Sequence, residues 1–239
     1  MTVQIVRTRC YPIKLILSLV LFMAAGSAVA LDRLYLATQD WPPYQTVKHG
    51  DIGGVAVERV QCTLRRMGQP YEIKMMRWDK AQLLVEANKM HGYFAGSKSA
   101  SRALYSEASD PLISEELSWF VSPTVSLDLD DESAKYKARY SAKFNTNKWL
   151  NLKEKGYNVV KKPRDSDSLL QMLWQGDIDV ALEYRLVFEY SMQQKGIPSD
   201  YFRRVAYGTQ DLMVHFSKEF SRKNPLFIGK FNKALKQCF

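Results

Sequence analysis

Between Leu34 and Gly96 the sequence switches repeatedly between strand-like and helix-like periodicity, and this alternation limits the fold more than any other feature. Leu34-Tyr35-Leu36-Ala37-Thr38 reads as a strand running into Asp40-Trp41-Pro42-Pro43-Tyr44, where paired prolines stop regular structure and pin an extended loop. Gly53-Gly54 opens a helix to about Met67, with Val57, Val60, Leu64 and Met67 on one face and Gly68 ending it. Tyr71 to Met75 is a second strand, and Asp79 caps a helix from Lys80 to Asn88 that carries Ala81, Leu84 and Val85. Gly92-Tyr93-Phe94-Ala95-Gly96 is a third strand, followed by the polar turn Ser97 to Arg102. This order predicts an α/β layer with parallel strands, and ligands of such sheets gather at the carboxyl ends of the strands. Trp41, Trp78 and the Ser97 to Arg102 turn lie just past strand ends, so one cleft can collect them.

The pattern returns further along. Leu117 to Val121 is apolar and extended, and Asp128 to Lys137 is polar and irregular. A short strand near Arg139 to Ala142 precedes a helix starting at about Asn147, capped by Thr146 or Asn145. Tyr157 to Val160 predicts another strand. Asp165 to Asp167 caps a helix holding Leu169, Leu170 and Leu173 that ends at Gly176, and Ile178 to Leu182 is a strand again. Leu212 to Phe216 is a late strand, and Pro225 to Cys238 a final helix. Two similar α/β lobes follow from this repetition, without a repeat at the level of residues.

The first thirty residues have the layout of a cleavable secretory signal: basic Arg7, Arg9 and Lys14, an apolar run from Leu15 to Ala25, then Gly26-Ser27-Ala28-Val29-Ala30. The run is shorter than the about 20 apolar residues of a spanning helix, so cleavage after Ala30 and release into the periplasm are expected. Removing three basic residues takes the formal net charge from +9 to about +6. Lys and Arg are interleaved with Asp and Glu, which excludes a dense nucleic-acid-binding arm. Cys62 and Cys238 remain in a compartment that oxidises thiols, so a disulfide between them is expected, with free thiols as the alternative. Two isolated cysteines and three histidines make no metal-ligand cluster, and no cofactor motif is visible.

Taken together, Ala37-Thr38-Gln39-Asp40-Trp41-Pro42-Pro43-Tyr44, Gly54, Arg77-Trp78-Asp79-Lys80-Ala81, Ser97-Lys98-Ser99-Ala100-Ser101-Arg102, Ser109-Asp110-Pro111-Leu112 and Gly176-Asp177-Ile178-Asp179-Val180-Ala181 resemble the family 3 extracellular solute-binding proteins, the periplasmic components of polar amino-acid ABC transporters. The resemblance implies a two-lobed, type II periplasmic-binding-protein-like α/β fold, each lobe a mixed, mostly parallel sheet flanked by helices. Lobe 1 would comprise 31–112 plus 212–239 and lobe 2 residues 116–207, with hinge strands near 112–116 and 207–211. It further implies a monomer that closes on a small polar ligand.

Arg102 matches the arginine that grips the ligand's carboxylate, a task for which a planar guanidinium offers two parallel donors. Ser97 matches its hydroxyl partner, and Ala95 at the end of the third strand joins the contacts. Trp41 and Trp78 match aromatic positions that sandwich the ligand side chain, with Tyr44 beside them. Lys143 and Thr146 match the place where the second lobe closes over the ligand, although Phe144-Asn145-Thr146-Asn147 stands where the family has a glycine-rich turn. Where amino-acid binders place an Asp for the ligand's ammonium, this chain has Tyr184 preceded by Glu183. The ligand implied is a carboxylate whose amine is not assured.

The resemblance also includes a shorter branch ending in a cysteine, which fits a Cys62–Cys238 bond. The function expected is solute capture for ABC uptake. A ligand-sensing module for a membrane signalling partner such as a sensor kinase is the alternative. A dehydratase-like enzyme on the same fold is a third reading, against which stands the lack of a Ser/His/Asp set, metal spacing or phosphate loop.

Overall fold

A computed structural model describes residues 1–4 and 32–238 of the chain. The expected signal segment falls on residues that lie outside those described. From Leu34 onward the chain builds ten strands and nine helices among the described residues. In the first part, β1 (Leu34–Thr38), β4 (Tyr71–Met75) and β5 (Gly92–Gly96) form a parallel group in the order β4-β1-β5. Between them lie a hairpin of β2 (Thr46–Lys48) and β3 (Asp51–Gly53), then helices α1 (Val55–Arg66) and α2 (Trp78–Glu86).

Gly54 makes the entry to α1 possible. Its φ is 102°, and a Cβ there would stand 2.6 Å from the Tyr44 carbonyl oxygen. Only glycine takes that backbone geometry without strain. From there Val57, Val60 and Leu64 recur at helical spacing and are fully buried. They pack with Leu34 and Leu36 on one face of the sheet, while Trp78, Ala81 and Val85 of α2 cover the other with Ala37 and Tyr93.

Short α3 (Ala100–Ala103) and β6 (Ser106–Ala108) lead into β7 (Ile113–Val121). Beyond it come α4 (Ala134–Lys137), β8 (Tyr140–Ser141), α5 (Asn147–Glu154), α6 (Ser166–Trp174), β9 (Val180–Tyr184) and α7 (Arg185–Gln194). Helices α6 and α7 set Leu169, Leu170, Leu173, Phe188 and Met192 against Phe120 and Ala181 of the sheet. Phe216 meets Phe231 of the last helix at a ring separation of 5.4 Å.

The longest strand, β10 (Arg203–Ser217), joins everything. Its residues 203–212 pair antiparallel with β7, and Met213 to Phe216 pair antiparallel with β5, giving one sheet in the order β4-β1-β5-β10-β7-β9-β8 with β6 also on β10. Register shifts lie on either side of the passage between the two halves, at Ala206/Gly208, where β10 carries the extra residue, and at Met213/Val214, where β5 carries it. There Ile113 to Leu117 lie opposite Leu212 to Gly208, so both chain passages run as one antiparallel ribbon.

Helices α8 (Lys218–Lys223) and α9 (Phe227–Leu235) return the chain to the first half, and Cys238 is bonded to Cys62 of α1 with the Cα atoms 6.0 Å apart.

Several sequence expectations are corrected. Arg77, not Asp79, is the N-cap of α2; Asp79 sits in its first turn and accepts from Arg77 Nη2 at 2.6 Å. The predicted strand at 157–160 reduces to a single parallel bridge, Tyr140 to Val159. The final helix is shorter than Pro225 to Cys238, running from Phe227 to Leu235, and a separate helix, Lys218–Lys223, which was not predicted, precedes Asn224-Pro225. The late strand is far longer than Leu212 to Phe216, and α7 stands directly after β9, where no helix is predicted.

Candidate functional site

The strand ends of both halves meet at one place. Thr38 closes β1 and hands the chain to Gln39, Asp40 and Trp41; β5 ends at Gly96 and passes to Ser97; α2 opens at Trp78; β8 leads to Lys143 and α5; β9 ends at Tyr184. Among them lies a small, partly open cavity of about 30 Å³ lined by Trp41, Trp78, Ala95, Ser97, Arg102, Lys143, Thr146 and Tyr184. Eight of the ten predicted ligand-contact positions therefore line one space. The remaining two, Tyr44 and Glu183, stand behind it. Tyr44 is buried beneath Trp41 and donates to Glu115 Oε2 at 2.5 Å, and Glu183 is wholly buried.

Local backbone explains how these side chains converge. Ala95 takes a φ of 61° and is the extra, unpaired residue of a bulge in β5 opposite Met213 and Val214, turning the strand end toward the cavity. Ser99 caps α3, accepting from the Arg102 backbone N–H at 3.3 Å, and this turn folds the arginine back over Ser97. Asn145 has a φ of 58°, the conformation a glycine would supply, and asparagine tolerates it. Thr146 then caps α5 and donates its hydroxyl to the Lys143 carbonyl at 2.6 Å.

Arg102 is only 4% exposed. Its Nη1 donates to the Ser97 carbonyl at 2.6 Å and lies 3.3 Å from Ser97 Oγ, while Nε and Nη2 lie 3.2 and 3.0 Å from Gln82 Oε1. The guanidinium carbon is 5.4 Å from the Trp78 ring centroid. All these partners are neutral. Among the described residues no carboxylate forms an ion pair with it, so a full charge stands buried with only dipoles around it.

The second half contributes two lysines. Lys143 donates to Gln39 Oε1, and burial lowers its pKa to about 8 despite the attraction of Asp165, Asp40 and Asp79. Lys148 donates to Glu183 Oε1 and stands 4.2 Å from the Tyr184 ring centroid and 5.4 Å from that of Trp41. Burial, with repulsion from Lys143 added, pushes the Lys148 ammonium well below its ordinary pKa, and Glu183 is its ion-pair partner. Glu183 also accepts from Ser166 Oγ at 2.9 Å, and Ser166 accepts from Trp41 Nε1 at 3.1 Å.

These bonds hold the two halves of the sheet together. Trp41 meets Ser166, Gln39 meets Lys143, and Asn147 Nδ2 reaches Ser97 Oγ at 2.9 Å and the Lys98 carbonyl at 3.1 Å. The cavity holds no more than one or two waters. A larger opening of about 470 Å³ adjoins it, lined by Gln39, Asp40, Trp78, Asp79, Lys143 and Asp165 among others. Gln39, Gln82, Asn147, Lys148 and Ser166 were not singled out by sequence reasoning. Asn147 and Lys148 directly follow the Thr146 cap, which is a usable local signal; Ser166 follows the Asp165 cap in the same way.

No family model matches the chain, and no curated protein matches it. Solved structures do. A histidine kinase sensor domain with similarity to periplasmic binding proteins superposes with a TM-score of 0.76 at 16% identity, over 87% of this chain and 90% of that one. The chain has the periplasmic-binding-protein fold.

The arginine-, lysine-, histidine-binding protein ArtJ from Geobacillus stearothermophilus gives 0.71 at 17% identity, over 86% and 88% of the two chains. The ancestral amino-acid-binding protein AncCDT-1, a precursor of cyclohexadienyl dehydratase, gives 0.70 at 15% identity over the same shares. Among the described residues no helix is long and apolar enough to cross a membrane, and no group of three or more His, Cys, Asp or Glu is placed to hold a metal ion.

Proposed function

We propose that this protein is an exported solute-binding protein whose two lobes close on a small carboxylate-bearing solute, for delivery to an ABC permease. The observation that carries this reading is Arg102: a buried guanidinium in a shared cleft, surrounded by neutral acceptors, matches an anion supplied from outside. Trp41 and Trp78 would flank the solute, with Ser97 and Thr146 as polar neighbours. The β7–β10 ribbon would act as hinge, because two paired strands with register shifts at either side can bend without breaking the packing of either half. The bonds from Trp41, Gln39 and Ser97 across the cleft must break before a solute enters, so opening and binding are coupled.

Thermal-shift screening of small acids followed by calorimetry tests this. The best-binding carboxylate is expected to lose at least about thirtyfold in affinity in Arg102→Met, the consequence of losing about 2–5 kcal/mol from a buried charge pair. Affinity retained in that variant, or a hit set of uncharged solutes only, contradicts the reading.

Sensing by a membrane partner is the second reading, favoured by the superposition on a kinase sensor domain at a TM-score of 0.76. The clamp is the same in both, and co-purification with a permease or a kinase separates them. Turnover of cyclohexadienyl acids by the purified protein would favour the enzyme reading over both.

A further inference from the structure

The arginine is not the only buried cation in the cleft without an anion. Lys143 is 4% exposed, and its ammonium bonds the neutral Gln39 and stands 6.0 Å from the Trp41 ring centroid. The carboxylates that attract it, Asp40, Asp79 and Asp165, line the adjoining outer opening and have partners of their own. Asp165 accepts from the Ser168 backbone N–H at 2.7 Å, Asp79 from Arg77 Nη2 at 2.6 Å, and Asp40 from the Val47 backbone. Lys148 and Glu183 compensate each other whether the proton between them sits on nitrogen or oxygen, so the pair adds no net charge. What remains facing the cavity is two positive groups without an ion-pair partner among the described residues, Arg102 on one wall and Lys143 on the other.

The small cavity itself offers no anion to an ammonium group. No acidic side chain lines the small cavity among the described residues. Glu183, the acid nearest behind it, is saturated by Lys148, by Ser166 Oγ at 2.9 Å and by the Tyr184 backbone N–H at 2.8 Å. The aromatic faces that attract a cation are also taken, since Lys148 occupies those of Trp41 and Tyr184. A ligand amine entering here would meet two like charges.

We propose that the cleft selects a small dicarboxylate that lacks an ammonium group, with one carboxylate on Arg102 and the other on Lys143. This rests on the carboxylate-binding reading above and adds the second anion and the exclusion of the amine. Both contacts are of the charge-assisted kind, and each would replace a neutral amide partner, Gln82 or Gln39, by a charged one.

The test is calorimetry on the disulfide-bonded protein at pH 7 with matched pairs: succinate against aspartate, glutarate against glutamate, and butyrate and inorganic phosphate as single anions. The dicarboxylate of at least one pair is expected to bind at least tenfold tighter than its amino counterpart and than butyrate. Lys143→Met should lower dicarboxylate affinity at least tenfold while leaving butyrate within threefold. Lys148→Met, which frees Glu183, should erase or reverse the preference against the amine.

An amino acid binding as tightly as its unaminated partner, a monocarboxylate matching the dicarboxylates, or phosphate as the tightest ligand would overturn the proposal. If such a ligand still depends on Arg102, the carboxylate reading stands and only this inference falls. If no acid binds, both fall. The wild-type series decides the matter even if a lysine variant fails to fold.

Discussion

Arg102 and His215 lie close together beneath the cavity, and the arginine's charge shapes the histidine's chemistry. His215 is buried against Tyr93, with ring centroids 5.0 Å apart, and its Nε2 lies 3.1 Å from the Gly96 carbonyl while Nδ1 lies 3.2 Å from Ser106 Oγ. Burial, with Arg102 adding repulsion, lowers its pKa from 6.5 to about 4. Between those values the unfolded chain binds a proton that the folded chain refuses. The stabilisation is therefore complete above pH 6.5 and drains away as pH falls toward 4, by about 3 kcal/mol. Urea titrations should show this acid loss in the wild type and a shallower loss in His215→Gln over the same interval; equal slopes contradict the assignment.

What was legible at this scale depended on chain neighbours. Arg102, Ser97, Trp41 and Trp78 could be placed because each follows a strand end. Lys148 and Gln39 could not, since their roles depend on Glu183 and Lys143, residues far away in sequence. The Glu183 side chain was equally hard to place: alternation along β9 turns it away from the cavity, and only the folded neighbours reveal that Lys148 and Ser166 receive it.

At the scale of elements, strong periodicity with clear end signals was read correctly: β1, α1, β4, β5 and α6 fall where glycines, caps and apolar spacing put them. Failures came where tertiary pairing decides. Residues 203–211 are mostly exposed or half-buried and carry little strand signal, yet β7 templates them into β10. The segment 157–160 has strand character but finds only the edge of β8.

The end of the chain gives a firm prediction. Phe231 and Leu235 of α9 are buried in the cluster that includes Val60 and Leu64 of α1, and the Cys62–Cys238 bond fastens the two helices across 176 residues of sequence. Closing so long a loop restricts the unfolded chain by about 5 kcal/mol, so Cys62→Ser with Cys238→Ser should lower Tm by roughly 10–20 °C. An unchanged Tm in scanning calorimetry would contradict this.

Across the whole molecule the sequence foretold an α/β protein with two similar parts and chain ends meeting in one of them. The folded chain adds how the parts are joined: not by two separate linkers but by one ribbon in which β10 belongs to both sheets. It also adds a cleft already shut by its own side chains, with two buried cations facing the little space left. Such a cleft is expected to open about the ribbon, admit an anion in place of the internal amide contacts, and close again. A crystal structure of the protein with its best-binding acid tests this most directly. The account predicts a carboxylate within hydrogen-bond distance of the Arg102 guanidinium, between Trp41 and Trp78. A bound acid elsewhere, with Arg102 still held only by Ser97 and Gln82, would contradict it.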